Sequence, residues 1–168
     1  YYFQDSKAVT GWRKIDGLQY YFNSDGSLGS SIVIDVSTYN GDIDWNSVKA
    51  SGIDYAIIRV GYRGYETARL VKDKRFDTNM SNATAAGVKV GAYIVTQAVN
   101  TSEAVEEASF IISACRGYNI SLPLAIDVES AGGGAGRGDK ISASERTAVI
   151  NAFAQTVQSA GYSPMVYA

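Results

Sequence analysis

Three carboxylates stand at spacings that would let them share protons. In Ala125-Ile126-Asp127-Val128-Glu129 two acids are separated by one residue at the end of an apolar run. Successive strand side chains point to opposite faces, so Asp127 and Glu129 are expected on the same face of a strand end. Asp35, in Ile34-Asp35-Val36-Ser37, closes another apolar run in the same way. A carboxyl group crowded by other carboxylates ionises less readily, so one member can keep a proton near neutrality while another stays charged. Glycoside hydrolysis needs that division: an acid for the leaving oxygen and an anion to assist on the other side of the sugar. Two uses compete with it, since strand-end acids also cap helices or hold ion pairs, and oxygen ligands suit magnesium or calcium.

What the chain lacks narrows the chemistry. Its 168 residues contain no histidine, which removes the Ser-His-Asp and Cys-His arrangements and the histidine-rich zinc sites together. Carboxylates must then move the protons of any reaction, and neither a metal nor a cofactor is expected. No Gly-x-Gly-x-x-Gly follows the first apolar run, and Gly132-Gly133-Gly134-Ala135-Gly136 lacks the Gly-Lys-Ser/Thr ending of a phosphate loop, so it reads as a flexible loop near a site. A net charge of −2 without a basic run removes the electrostatic footprint of a nucleic-acid binder. No stretch approaches the roughly 20 apolar residues that span a bilayer, and any export signal is expected outside this chain. The single cysteine, Cys115, has no disulfide partner and reads as a buried structural thiol.

The acids need strands to carry them. Five short apolar runs, Ile32 to Val36, Tyr55 to Val60, Val88 to Val95, Leu122 to Val128 and Met165 to Ala168, read as strands too apolar to be half exposed. Helices are expected from Ile43 or Asp44 to Ser51, Thr78 to Ala86, Ser102 to Arg116 and Ser142 to Ala160. Gly52, Gly87, Gly117 and Gly161 follow them as left-handed stops. Alternating βα units imply an α/β fold with a parallel sheet, either open and doubly wound or closed into a barrel, and composition leaves both open. In barrel enzymes the C-terminal strand ends carry the catalysts, which is where Asp35, Asp127 and Glu129 fall. Tyr62, Tyr93 and Tyr167 lie at strand ends near the same rim, placed to stack on sugar rings or to pack in the core.

The first thirty residues are different, crowded with aromatics and glycines. Asp16-Gly17 and Asp25-Gly26 are turn dipeptides between strand-prone segments and predict a β-hairpin. Tyr1-Tyr2-Phe3 echoes Tyr20-Tyr21-Phe22, as though the chain began inside an earlier copy of a repeat.

Taken in order, Ile34-Asp35-Val36-Ser37, Gly41-Asp42-Ile43-Asp44-Trp45, Ala56-Ile57-Ile58-Arg59-Val60-Gly61-Tyr62, Asp77-Thr78-Asn79, Gly91-Ala92-Tyr93, Leu122 to Glu129 and Gly161-Tyr162-Ser163-Pro164-Met165-Val166-Tyr167 resemble the glycoside hydrolase family 25 lysozymes. The resemblance runs from Ser31 to the last residue. It implies a β/α (TIM-like) barrel that cuts the β-1,4 bond between N-acetylmuramic acid and N-acetylglucosamine in peptidoglycan. It also implies that Glu129 is the general acid/base and that Asp35 supports the Asp127–Glu129 pair; Asp127 would orient the substrate's acetamido group where the sugar supplies its own nucleophile, a covalent enzyme intermediate being the open alternative. The family's barrel continues beyond the fifth strand and carries a further acid, so a longer natural protein, or completion by a partner, is expected. The first segment resembles a choline- or glucan-binding wall repeat. Trp12, Tyr20 and Tyr21 would then supply cage aromatics for a quaternary ammonium or another wall polymer, or the hairpin would serve as a spacer. The division expected is residues 1–30 as a partial repeat and 31–168 as the N-terminal part of a catalytic domain, in a secreted, wall-associated protein. A non-catalytic wall-binding protein and a chitinase-like glycosidase are the competing functions.

Overall fold

The computed structural model describes residues 1–15, 18–29 and 31–168, and the chain divides into two compact units, Tyr1–Val33 and Ile34–Ala168. In the first unit, β1 (Phe3–Gln4) pairs antiparallel with β2 (Lys7–Ala8) across Asp5 and Ser6. Both turn residues have positive φ, 52° and 62°, the twist that a two-residue hairpin loop requires. A second antiparallel pair joins β3 (Gly11–Ile15) to β4 (Leu18–Phe22). The turn expected at Asp16-Gly17 lies outside the described residues. The one expected at Asp25-Gly26 is present: Gly26 has φ 81° and the Asp25 carboxylate accepts from the Ser27 amide at 2.9 Å. Phe22 and Val9 are the buried hydrophobic residues among those described in this unit, with Tyr2 stacked on Phe22 at 6.3 Å.

The second unit contains all five expected strands: β5 (Val33–Val36), β6 (Tyr55–Arg63), β8 (Lys89–Val95), β9 (Ile120–Asp127) and β10 (Pro164–Tyr167). They lie in the order β10-β9-β8-β6-β5, and the pairs β6–β8, β8–β9 and β9–β10 are parallel. Four helices alternate with them, α1 (Trp45–Ala50), α2 (Phe76–Ala85), α3 (Thr101–Cys115) and α4 (Ala143–Ser159). Their starts are chemical. The side chains of Asp44, Asn100 and Ser142 accept hydrogen bonds from first-turn amides, and Glu145 closes a reciprocal capping box with Ser142. All four expected glycine stops have φ between 77° and 88°.

Sequence reading missed β7 (Leu70–Lys72), an antiparallel strand on β6. Three residues after a polar loop carry too little pattern to announce a strand. It packs closely: a Cβ on Gly61 would overlap the Val71 carbonyl oxygen.

Alternation sorts the strands by face. Ala56, Ile58, Val60, Val90, Ala92, Ile94, Leu124 and Ile126 are at most 1% exposed and pack in one core with Phe76 and Met80 of α2, Ile111 and Cys115 of α3, and Phe153 and Val157 of α4. Burial pushes the Cys115 thiol up to about 12, so it stays protonated, as expected of a structural cysteine. The opposite set, Ile57, Tyr93, Ala125 and Met165, faces a pocket. The expectation that no strand is half exposed fails at the ends of the strand order. Val33 of β5 is 49% exposed and Val166 of β10 is 45% exposed, because each has a strand neighbour on one side only.

Candidate active site

Asp35, Ile57, Tyr93, Ala125, Asp127, Met165 and Tyr167 line a pocket with about 120 Å³ of room. Each strand contributes by its register. Tyr93 sits opposite Ala125, and Tyr167 sits opposite Asp127, so the polar groups collect at the C-terminal ends over an apolar floor. Of the expected residues, the structure brings Asp35, Asp127, Tyr93 and Tyr167 together here.

Asp127 is the electrostatic centre. It is 6% exposed, and its Oδ1 is buried without a hydrogen-bond partner. Burial first, then the charges of Glu129 and Asp35, push its carboxyl up to about 7, with Arg59 pulling the other way. The protein therefore holds a carboxylic acid that is about half protonated near neutrality beside other carboxylates. Burial also raises the Tyr93 phenol, reinforced by the charge and hydrogen bonding of Asp35, so Tyr93 stays a neutral donor.

Glu129 differs from expectation in its setting. β9 ends at Asp127, so Glu129 stands two residues past the strand on an exposed stretch and does not line the pocket. Its charge nevertheless acts on Asp127. Gln97 holds this stretch. Gln97 is 3% exposed, its Nε2 donates to the Glu129 carbonyl at 3.3 Å, and its Oε1 accepts from the Gly138 amide at 2.9 Å. Arg137, bidentate on Glu103 at 2.8 Å through both nitrogens, donates to the Gln97 carbonyl at 3.4 Å. The two ends of the glycine-rich segment are joined by Asp139, which accepts from the amides of Ala131 at 3.0 Å and Gly136 at 3.1 Å.

The tyrosines separate. Tyr93 is 9% exposed, too enclosed to offer a full stacking face, because it occupies the middle of the sheet. Tyr167 is 58% exposed and free to stack. Tyr62, 38% exposed, lies outside the pocket with its ring 5.9 Å from the Arg59 guanidinium. In the other unit Trp12 is 65% and Tyr21 40% exposed, and their rings meet edge to face at 5.3 Å; Tyr20 is half-buried, 6.5 Å from Phe22.

Sequence reading missed Arg59, Asp73 and Gln97. Arg59 is 8% exposed and is held by Asp73, Nε at 2.9 Å and Nη2 at 2.7 Å. Asp73 also accepts from the amides of Thr38 at 3.0 Å and Arg75 at 2.9 Å, and those bonds together with Arg59 keep it below the usual carboxylate range despite burial. A cation inside Ile57-Ile58-Arg59-Val60 was the available signal, since a charge in a buried strand requires a partner. Gln97 gave no such signal. Among the described residues no group of three or more His, Cys, Asp or Glu is arranged to hold a metal ion.

Comparison with known proteins gives these positions a context. The profile of the Glycosyl hydrolases family 25 matches residues 34–168, and that of a cell wall binding repeat matches residues 10–28. Lysozyme M1 of Streptomyces globisporus is 35% identical over 99 residues, which cover 57% of this chain and 32% of that protein. Among solved structures, the modular autolysin LytC from Streptococcus pneumoniae, in complex with a synthetic peptidoglycan ligand, matches with a TM-score of 0.71 and 27% identity over 95% of this chain and 38% of that one. The bacterial lysozyme from Streptomyces coelicolor matches with a TM-score of 0.63 and 31% identity, over 78% of this chain and 59% of that one. The chain thus spans about a third of the curated relative it matches.

Proposed function

Because the chain belongs to the glycosyl hydrolases of family 25, we propose that it carries the carboxylates of a peptidoglycan muramidase, which hydrolyses the β-1,4 bond between N-acetylmuramic acid and N-acetylglucosamine. The observation that carries the reading is Asp127, 6% exposed with its Oδ1 unpartnered and lining one pocket with Asp35, its carboxyl pushed up to about 7 by burial and by the charges of Glu129 and Asp35. Glu129, at the exposed mouth, protonates the leaving oxygen and then activates water. Asp127, which can donate or accept through its free oxygen, orients the substrate's acetamido group. Asp35, bonded to Tyr93, holds Asp127 in its protonated range. Tyr167, Tyr62 and the rim of Tyr93 guide the sugars. Membership of the family, and the lysozymes and the peptidoglycan-bound autolysin to which the chain is similar, support this substrate.

The same reading extends to the architecture. Five successive strands with parallel pairs, one face under helices and catalytic acids at the C-terminal ends, fit the first part of a TIM-like barrel. Residues 1–30 form a partial wall-binding repeat and 31–168 the catalytic part of a secreted, wall-associated protein. The exposed Trp12 and Tyr21, with Tyr20, engage choline or another wall polymer.

The deciding experiment follows new reducing ends released from purified peptidoglycan by the intact protein and by its Glu129→Gln variant. Loss of roughly 10²–10⁴-fold in the variant, with wall binding retained, is the expected result. A wild-type protein that binds the wall and releases no ends would move the assignment to a non-catalytic wall-binding protein.

A further inference from the structure

Tyr39 is 86% exposed, more than any other large hydrophobic side chain described, yet its position is closely determined. It sits in the 3-10 turn Thr38–Asn40 that follows β5. That turn is capped reciprocally: Tyr39 donates its amide to Ser37 Oγ at 3.3 Å, and Ser37 donates its amide to Asn40 Oδ1 at 2.8 Å. The neighbouring Thr38 amide is bound by buried Asp73. The Arg59 guanidinium, itself fixed by Asp73, lies 4.8 Å from the Tyr39 ring centroid and 5.9 Å from that of Tyr62. A guanidinium on one side and solvent on the other leaves the ring a broad accessible surface on a rigid base. An ordered, exposed tyrosine loses little conformational freedom on binding, which is how such residues come to dominate recognition.

The position suits a sugar of the strand that occupies the site. Tyr39 follows Asp35 by four residues in sequence, and the charge of Arg59 is felt by both Asp127 and Tyr93 inside the pocket. Tyr39 does not itself line that pocket, so a sugar stacked on it would lie outside the pocket. A pyranose presents a face of C–H groups between rims of hydroxyls, and an amphipathic aromatic ring can cover that face while its hydroxyl stays wet.

We propose that Tyr39, seated on the Arg59–Asp73 pair and flanked by Tyr62, is a stacking platform for an N-acetylhexosamine unit beyond the cleaved pair, and that it makes the enzyme prefer long glycan strands. The proposal rests on the glycan-hydrolase reading above. It is tested in the intact protein with Tyr39→Ala and Tyr39→Trp, measuring kcat/KM on a soluble long glycan strand and on a tetrasaccharide of the same repeat. Tyr39→Ala lowers the long-to-short ratio about tenfold, the size of one aromatic contact, and Tyr39→Trp restores it, with the melting temperature of both variants as the check on folding. Equal losses on both substrates, or none on either, overturn the platform. If the wild type cleaves neither substrate, the hydrolase reading falls by itself. The platform then stands or falls on calorimetric affinity for the long strand, with about a tenfold loss in Tyr39→Ala upholding it and an unchanged affinity overturning it.

Discussion

Replacing Asp127 by Asn should stabilise the protein in a pH-dependent way while disabling it. In the fold the Asp127 carboxyl is displaced from 3.8 to about 7, so the folded state binds its proton more tightly than the unfolded state does. Below pH 3.8 both states are protonated and the group is neutral in its effect. Between that value and 7 the unfolded chain sheds the proton first, and stability falls as pH rises. Above 7 the full penalty is present, with a ceiling of about 4 kcal/mol at about 1.36 kcal/mol per tenfold in proton affinity. Asparagine has the same shape and no charge, so it escapes the penalty. The stability advantage of Asp127→Asn over wild type should grow by about 2–3 kcal/mol between pH 5 and pH 8. Urea denaturation followed by circular dichroism at several pH values reads this directly, and reducing-end release from peptidoglycan reads the accompanying loss of activity. An advantage that stays flat across that range would refute the claim that burial and neighbouring carboxylates hold a proton on Asp127.

The other predictions address the supports of the site. Gln97→Met removes the donor to the Glu129 carbonyl and the acceptor for Gly138; kcat should fall about tenfold or more with KM little changed, as for a displaced catalytic group, in steady-state assays on glycan strands. Arg63→Met strands Glu107, which is 0% exposed and bonded to Arg63 at 2.7 Å and Thr96 at 2.6 Å. A loss of about 3–5 kcal/mol is expected at pH 7 and should shrink as pH falls, because burial already raises the Glu107 carboxyl and protonation relieves the uncompensated charge. Gly91→Ala would bring a methyl group 2.6 Å from the Pro123 carbonyl oxygen and 2.8 Å from Leu122 Cβ. Two strands would have to part, at about 1–3 kcal/mol or more, visible as a lowered melting temperature.

The five strands and four helices were legible because each pairs an apolar run of the right length with a local stop, and a glycine that accepts positive φ ends each helix whatever lies around it. Asp35 and Asp127 were placed by the same local logic, since a strand that alternates faces and then ends puts its last acids at a rim, whereas Glu129 stands two residues past β9 and outside the pocket. Two kinds of information were not local. One is burial: Tyr93 and Tyr167 look alike as strand-end tyrosines, and only the strand order makes one 9% exposed and the other 58% exposed. The other is partnership across the chain. Arg59 meets Asp73 across 14 residues, Arg63 meets Glu107 across 44, and Gln97 reaches Glu129 across 32. These contacts decide where Glu129 is held and what sits beneath Tyr39. A sequence pattern can therefore nominate candidate acids, but their proton affinity and orientation depend on long-range neighbours that periodicity does not encode. The substitution most informative about how this site is held is consequently Gln97→Met, at a residue outside the acid motif.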